Sequence, residues 1–205
     1  MSSDIASRRR GVGSGLAFVV SGPSGAGKNS VIDRAMEGIS DLAYSVSYTT
    51  RPAREDEVDG VNYLFVSRDE FAERIGMGDF AEHVTYLGDL YGTSKSQIDA
   101  MVAQGLDVIL NIDVEGAKRV RAIGLGNHAV VYVFLVPSSL TRLEERLRAR
   151  GTENDAQIAA RLDVAMREME TIDSFDYLVI NDDLDAAVAE LRAIVAAERF
   201  RIAPS

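Results

Sequence analysis

The sequence predicts an α/β fold, a parallel sheet flanked by helices, on three observations. A glycine-rich loop, Gly22-Pro-Ser-Gly-Ala-Gly27-Lys28, stands directly after the apolar run Leu16-Ala-Phe-Val-Val20 and directly before a helical pattern. Further apolar runs of strand length recur at 107–112, 129–136 and 177–180. Amphipathic helical stretches separate or follow them. Continuous apolar strands that alternate with helices must be covered on both faces, which is how parallel sheets are built.

The elements follow in order. Residues 1–15 are rich in Ser, Gly and Arg, with Arg8-Arg9-Arg10, and read as a flexible tail. They lack the apolar stretch of a signal peptide, and a truncated organelle-targeting segment is the alternative. The strand at 16–21 enters the glycine loop, and a helix with Val31, Ile32, Ala35 and Met36 on one side leaves it. Glycines let backbone N–H groups close around phosphate oxygens, the helix N-terminus adds positive potential, and Lys28 supplies a mobile cation. The pattern ordinarily ends in Ser or Thr, whose hydroxyl binds magnesium; here Asn29 stands in that place and Ser30 follows. The strand following this loop is expected at the centre of the sheet, with ligands at the carboxyl ends of the strands.

Residues 44–95 break the rhythm with Tyr, Thr, Gly and charge, and read as a small, mainly β insertion with a helix near Asp69–Ile75. The stretch 141–165 is heavily charged and centred on Arg150-Gly151-Thr152. A helix is expected from Asp155 to Ile172, with Ile158, Leu162, Ala165, Met166, Met169 and Ile172 on one face. A last helix carries Leu184, Val188, Leu191 and Val195.

Composition bounds the function. A chain of 205 residues is one domain or one core with insertions. Its net charge of -10 argues against nucleic acid and acidic membranes as partners, although a local arginine cluster can still bind a small anion. With no Cys, disulfides, thiol catalysis and cysteine–zinc sites are excluded, which suits a cytoplasmic protein. His83 and His128 lack metal-ligand spacing and read as structural or solvated. No apolar run is long enough to cross a membrane.

Four constellations carry chemistry. Arg51 and Arg54 flank a stiffening proline beside Ser47, Thr49 and Thr50, which suits a bidentate phosphate grip or, equally, a solvated turn. Glu82 can accept the paired N–H groups that guanine alone among purines offers, with Tyr91 and Thr93 following; alone, it is also an ordinary charged strand residue. Asn111 and Asp113 share a face at the end of a buried strand, where a carboxylate orients magnesium or its waters, or simply ends the strand. Arg142, Arg146 and Arg150 recur on one helix face, with Arg161 on the next, able to neutralise polyphosphate charge; Arg142 reads better as a solvated partner of Glu144, Glu145 and Glu153.

Taken in order, these segments resemble guanylate kinases. The resemblance rests on Gly22-Pro-Ser-Gly-Ala-Gly-Lys28, Ser47-x-Thr-Thr-Arg51-Pro-x-Arg54, Gly60-Val-Asn-Tyr63-x-Phe65, Glu82, Tyr91-Gly-Thr93, Ile112-Asp113-x-x-Gly116, Arg150-Gly-Thr-Glu153 and Asn181-Asp-Asp-Leu184, and covers nearly all of 16–200. It implies a P-loop kinase core at 16–44, 96–140 and 166–205, a GMP-binding insertion at 45–95 and a helical lid at 141–165. It implies transfer of the γ-phosphoryl group of ATP to GMP, with Mg2+, in purine metabolism. By the same resemblance, Gly22, Pro23, Ser24, Gly25, Ala26, Gly27, Lys28, Asn29, Ser30 and Asn181 bind ATP, with Asn181 on the adenine side. Arg51, Arg54, Tyr63 and Tyr91 hold the GMP phosphate, and Ser47, Glu82, Thr93 and Asp113 surround guanine. Lys28, Arg146, Arg150 and Arg161 bear on the transferring group. Asp113 also faces the metal through water, beside Asn29 or Ser30.

Two departures stand out. Asn29 replaces a hydroxyl, and Asn111 replaces the acid that such chains carry two residues before Asp113. Asn29→Ser alone is expected to lower the magnesium demand. A noncatalytic interaction module of the same fold, and a kinase acting on a sugar phosphate, are the alternative readings. Oligomeric state is left open.

Overall fold

The computed structural model describes residues 15–55, 57–86, 88–149, 151 and 153–202. Arg150, Thr152 and nearly all of the N-terminal tail expected from the sequence lie outside the described residues.

Five strands make the main sheet: β1 (Ala17–Ser21), β2 (Leu42–Tyr44), β7 (Asp107–Asn111), β8 (Val130–Val136) and β9 (Tyr177–Ile180). Their order is β2-β7-β1-β8-β9, and every pairing is parallel. The central strand is therefore β1, which enters the glycine loop. The strand after the loop, β2, is not central: it is three residues long, buries only Leu42 fully, and takes the edge. An edge strand needs one apolar partner rather than two, and Leu-Ala-Tyr supplies no more.

Strand alternation divides the core into two layers. Leu16, Phe18 and Val20 face one cluster with Val31, Ile32, Leu191 and Val195, from α1 (Lys28–Met36) and α7 (Leu184–Phe200). Ala17 and Val19 face the other with Ile98, Val102, Ala117 and Val120, from α3 (Lys95–Ala103) and α4 (Val114–Ile123). All the β1 side chains are buried, so the strand that delivers the loop is fixed on both faces.

A second sheet, β4-β3-β6-β5, is built from β3 (Tyr48–Thr49), β4 (Leu64–Phe65), β5 (Phe80–Tyr86) and β6 (Asp89–Ser94), with α2 (Arg68–Gly76) against it. Phe71 of α2 stacks on Phe80 with ring centroids 4.4 Å apart. Two further helices, α5 (Leu140–Ala149) and α6 (Asp155–Met169), share a small core of Leu143, Leu147, Ile158 and Ala165.

The helix expected through Ile172 ends as an α-helix at Met169, and a 3₁₀ turn follows at Ile172–Ser174. Thr171 and Ser174 turn their hydroxyls onto the carbonyls of Glu168 and Thr171, which competes with helical pairing. Met166, expected on the apolar face, is 45% exposed, because α6 packs on α5 through Ile158 and Ala165 rather than around its whole apolar arc. Among the described residues no helix is long and apolar enough to cross a membrane.

Candidate active site

The loop between β1 and α1 lies at the carboxyl end of the central strand. Gly27 caps α1 with φ 91° and no side-chain cap bond, and the N-terminus of this helix, with its positive potential, faces the loop. A Cβ at Gly27 would stand 2.5 Å from Asn181 Nδ2, so close approach as well as conformation demands glycine there. Lys28 curls back, its Nζ donating to the Gly22 carbonyl at 2.6 Å and the Pro23 carbonyl at 3.3 Å.

Two further groups brace the loop from behind. Asn181 Nδ2 donates to the Ala26 carbonyl at 2.7 Å, and Arg146 donates to the carbonyls of Ala26 at 3.1 Å and Asn181 at 2.5 Å. Asn181 is buried, and its amide N–H is engaged by the loop rather than turned outward. Arg161 of α6 reaches the loop on its other side, donating to Ser24 Oγ at 2.7 Å while pairing with Glu153 at 3.0 Å.

One cavity of about 660 Å³ joins the loop to the second sheet, lined by Gly22, Ser24, Lys28 and Arg161 at one end and by Ser47, Tyr63, Glu82, Tyr91 and Asp113 at the other. A smaller one of about 270 Å³ shares Ser24 and Lys28 with it and adds Gly25, Gly27, Asn29 and Ser30. Many of the residues singled out from the sequence thus line one or the other of these two neighbouring cavities, whereas Arg51, Arg54, Thr93, Arg146 and Asn181 are not among the residues that line them.

The Glu82 end is built by a strand irregularity. The β5–β6 register shifts between Phe80 and Glu82, which sets Glu82 directly opposite Thr93. Thr93 Oγ1 donates to Glu82 Oε1 at 2.7 Å. Burial pushes the Glu82 carboxyl up to about 7; the Thr93 bond opposes the rise and the Asp113 charge adds to it. Asp113 caps α4, accepting from the Gly116 N–H at 2.6 Å. A Cβ at Gly116 would meet Asp113 Oδ1 at 3.0 Å and Glu82 Oε2 at 3.1 Å, so a glycine lets the start of α4 come this close to the Glu82 carboxylate on β5.

Behind the Tyr63 and Tyr91 lining, Arg51 lies over the rings of Tyr63 and Phe65, 5.4 and 5.7 Å from their centroids, with Tyr63 edge-on to Tyr91. Glu57 grips the Arg51 fork with both oxygens at 2.7 Å, and accepts from the Arg54 N–H. The Arg51 partner holds the Glu57 carboxyl down at about 2. Arg54 itself is exposed on the turn.

Arg142, read as a solvated ion-pair residue, pairs with Asp182 rather than with a neighbouring glutamate, while Glu144 pairs with Arg148. Three residues of the site escaped the sequence. Glu57 looks like any surface acid until Arg51 is placed against it. Glu168 lines the cavity from α6, its carboxyl raised by burial while Lys28 draws it down. Tyr44 ends β2 with its hydroxyl against the Asn111 side chain, and burial pushes it up to about 12.

The chain matches the family model described as guanylate kinase over residues 15–198. It is 44% identical to the guanylate kinase of Hydrogenovibrio crunogenus over 185 residues, 90% of this chain and 89% of that protein. It is 42% identical to that of Carboxydothermus hydrogenoformans over 187 residues, 91% of this chain and 90% of that one. The crystal structure of guanylate kinase from Anaplasma phagocytophilum is similar, with a TM-score of 0.74 and 29% identity, covering 92% of this chain and 88% of the other.

Proposed function

The chain belongs to the guanylate kinase family, and on that premise we propose how its residues transfer the γ-phosphoryl group of ATP to GMP, giving ADP and GDP. The observation that carries the reading is the single cavity with the Glu82 carboxylate at one end and the Lys28 loop at the other. Ionised Glu82 accepts N1–H and N2–H of guanine, with Thr93 orienting it and Ser47 and Asp113 completing the base site. Arg51, Arg54, Tyr63 and Tyr91 hold the phosphate, which displaces Glu57 from at least part of the Arg51 fork, since both Glu57 oxygens sit there.

GMP needs no protein base, because its phosphate, with a second pKa of about 6, is largely dianionic near neutral pH. One of its oxygens forms the new bond to the γ-phosphorus as the bond to the β–γ bridging oxygen breaks, and that oxygen leaves with ADP. The residues do positional and electrostatic work. The loop N–H groups and Lys28 hold the donor phosphates, Arg161 and Arg150 bear on the charge that moves, and Arg146 and Asn181 brace the loop from behind. Closing 45–95 and 141–165 onto the core excludes water, which would otherwise accept the phosphoryl group.

The donor set fits magnesium. Asn29 offers an amide oxygen, Ser30 a hydroxyl and Asp113 a carboxylate whose Oδ1 is held by the α4 cap. All are hard oxygen donors, and among the described residues no group of three or more His, Asp or Glu converges to cage an ion. Asn29 or Ser30, with Asp113 through water, would hold Mg2+ beside the ATP phosphates, where it would supply charge neutralisation at the transferring group.

ADP release from ATP and magnesium with GMP, AMP, UMP, a ribose phosphate or no acceptor tests the reading. A rate that rises with GMP alone is expected. No GMP-dependent release would favour a noncatalytic module, and preference for the sugar phosphate would favour a different kinase; the Glu82–Thr93 pair, which a sugar does not need, argues against the latter.

A further inference from the structure

The two residues that depart from the family pattern touch each other. Asn111 Nδ2 donates to Asn29 Oδ1 at 2.8 Å, across 82 residues of sequence. Asn29 sits in the first turn of α1 and Asn111 ends β7. Asn111 lines the larger cavity and Asn29 the loop cavity, and those cavities share Ser24 and Lys28, so the pair stands where the two spaces meet. Tyr44 supports it: β2 pairs with β7, and the Tyr44 hydroxyl meets the Asn111 side chain from the outer strand.

Serine at 29 and aspartate at 111 would pair with the hydroxyl donating and the carboxylate accepting. Here the direction is reversed: residue 111 donates, residue 29 accepts, and both are neutral. We propose that Asn29 and Asn111 act as one neutral unit toward the magnesium carried by ATP, each residue suited to the other and not to the family's partner. The proposal rests on the ATP:GMP reading above.

Each single reversion then breaks a match. In Asn29→Ser the hydroxyl is a bond shorter, and the Asn111 amide loses its acceptor and points a donor toward the cation's place. In Asn111→Asp the carboxylate either opposes Asn29 Oδ1 or is held by the flipped amide, away from the metal's waters. With both changed, the hydroxyl donates to the carboxylate again and keeps a lone pair for the metal. Asn29→Ser alone is therefore a poor test of the metal site, contrary to what the loop sequence suggests in isolation.

The test is a double-mutant cycle on the full chain. Mn2+ affinity of each protein with ADP is read by electron paramagnetic resonance of free Mn2+, and ADP affinity without metal by calorimetry in EDTA. The double variant should bind Mn2+ more tightly than the product of the single effects by about fivefold or more, while metal-free ADP affinity stays within about twofold throughout. Single effects that multiply to within about twofold would overturn the proposal. Coupling of equal size in metal-free ADP binding would overturn it too, since the pair would then only support the loop. GMP-dependent ADP release by the unaltered protein is measured alongside. Its failure would remove the phosphotransferase reading, whereas an active protein with additive metal constants would remove the pairing alone.

Discussion

Glu82→Gln separates two effects of opposite sign that meet in one side chain. Glu82 is 7% exposed, and burial pushes its carboxyl from 4.5 up to about 7. Only the charged form accepts both N–H groups of guanine, and glutamine sets a donor against one of them. An unsatisfied buried donor costs about 1–3 kcal/mol. That corresponds to about 5- to 150-fold in kcat/KM for GMP. The advantage of the natural residue should follow its ionisation. The ratio of kcat/KM between the natural protein and Glu82→Gln cancels the titration of GMP itself, since both share the substrate. It should climb with pH below 7, by at most about tenfold per pH unit, and level off above it. Stability should move the other way. A carboxyl with its folded pKa raised binds protons more tightly in the folded state, so stability falls as pH rises from 4.5 through 7. With folded and unfolded values of about 7 and 4.5, the loss is about 3 kcal/mol. Glu82→Gln escapes it, and should melt higher than the natural protein at pH 8 but not at pH 4. Rates across about pH 5.5–8.5 and thermal melts at the two pH values check both arms. A flat ratio of kcat/KM, or an equal melting gap at pH 4 and pH 8, would refute the reasoning.

Other expectations follow from single contacts. Gly116→Ala places a methyl 3.0 Å from Asp113 Oδ1 and 3.1 Å from Glu82 Oε2. The KM for GMP should rise about threefold or more while metal-free ADP affinity holds, since overpacking presses on Glu82 and Asp113 and not on the loop; an unchanged KM would show that the helix yields freely. Arg146→Met strips two donors from the carbonyls of Ala26 and Asn181 and should weaken ADP binding by about tenfold, measured by calorimetry. Affinity within about twofold would mean that Asn181 braces the loop alone. Hydrogen exchange should slow in both 45–95 and 141–165 with GMP and a nonhydrolysable ATP analogue at saturation. Unchanged exchange in both segments would count against closure.

Legibility in the sequence tracked how local each cause was. The buried strands were readable because a parallel strand covered on both faces leaves an unbroken apolar run, as in Leu16–Val20 and Val130–Val136. The end of α6 was not, because the apolar period runs on through Ile172 while the hydroxyls of Thr171 and Ser174 break the ladder. The place of β2 depended on which strands pair, and three residues carry too little pattern to say. In the site, Glu82 could be singled out by chemistry, but its perturbed carboxyl comes from a register shift and a neighbouring helix. Asn29 and Asn111 were each visible as departures. Their contact was not, since nothing in either segment encodes a partner 82 residues away.

The bracing of the glycine loop has a consequence for how the chain acquires its form. The loop is made well before its brace: Asn181, whose amide holds the Ala26 carbonyl, lies 155 residues later. Both neighbours of β1, β7 and β8, also come long after it. As the chain leaves the ribosome, this fully buried strand waits for partners with both edges open, and loop-closure entropy delays their arrival. Waiting strands of this kind are where aggregation starts. Substitutions around Asn181 should therefore lower the yield of folded protein before they alter its chemistry, and the phosphate loop should be among the last parts of the chain to take its final shape.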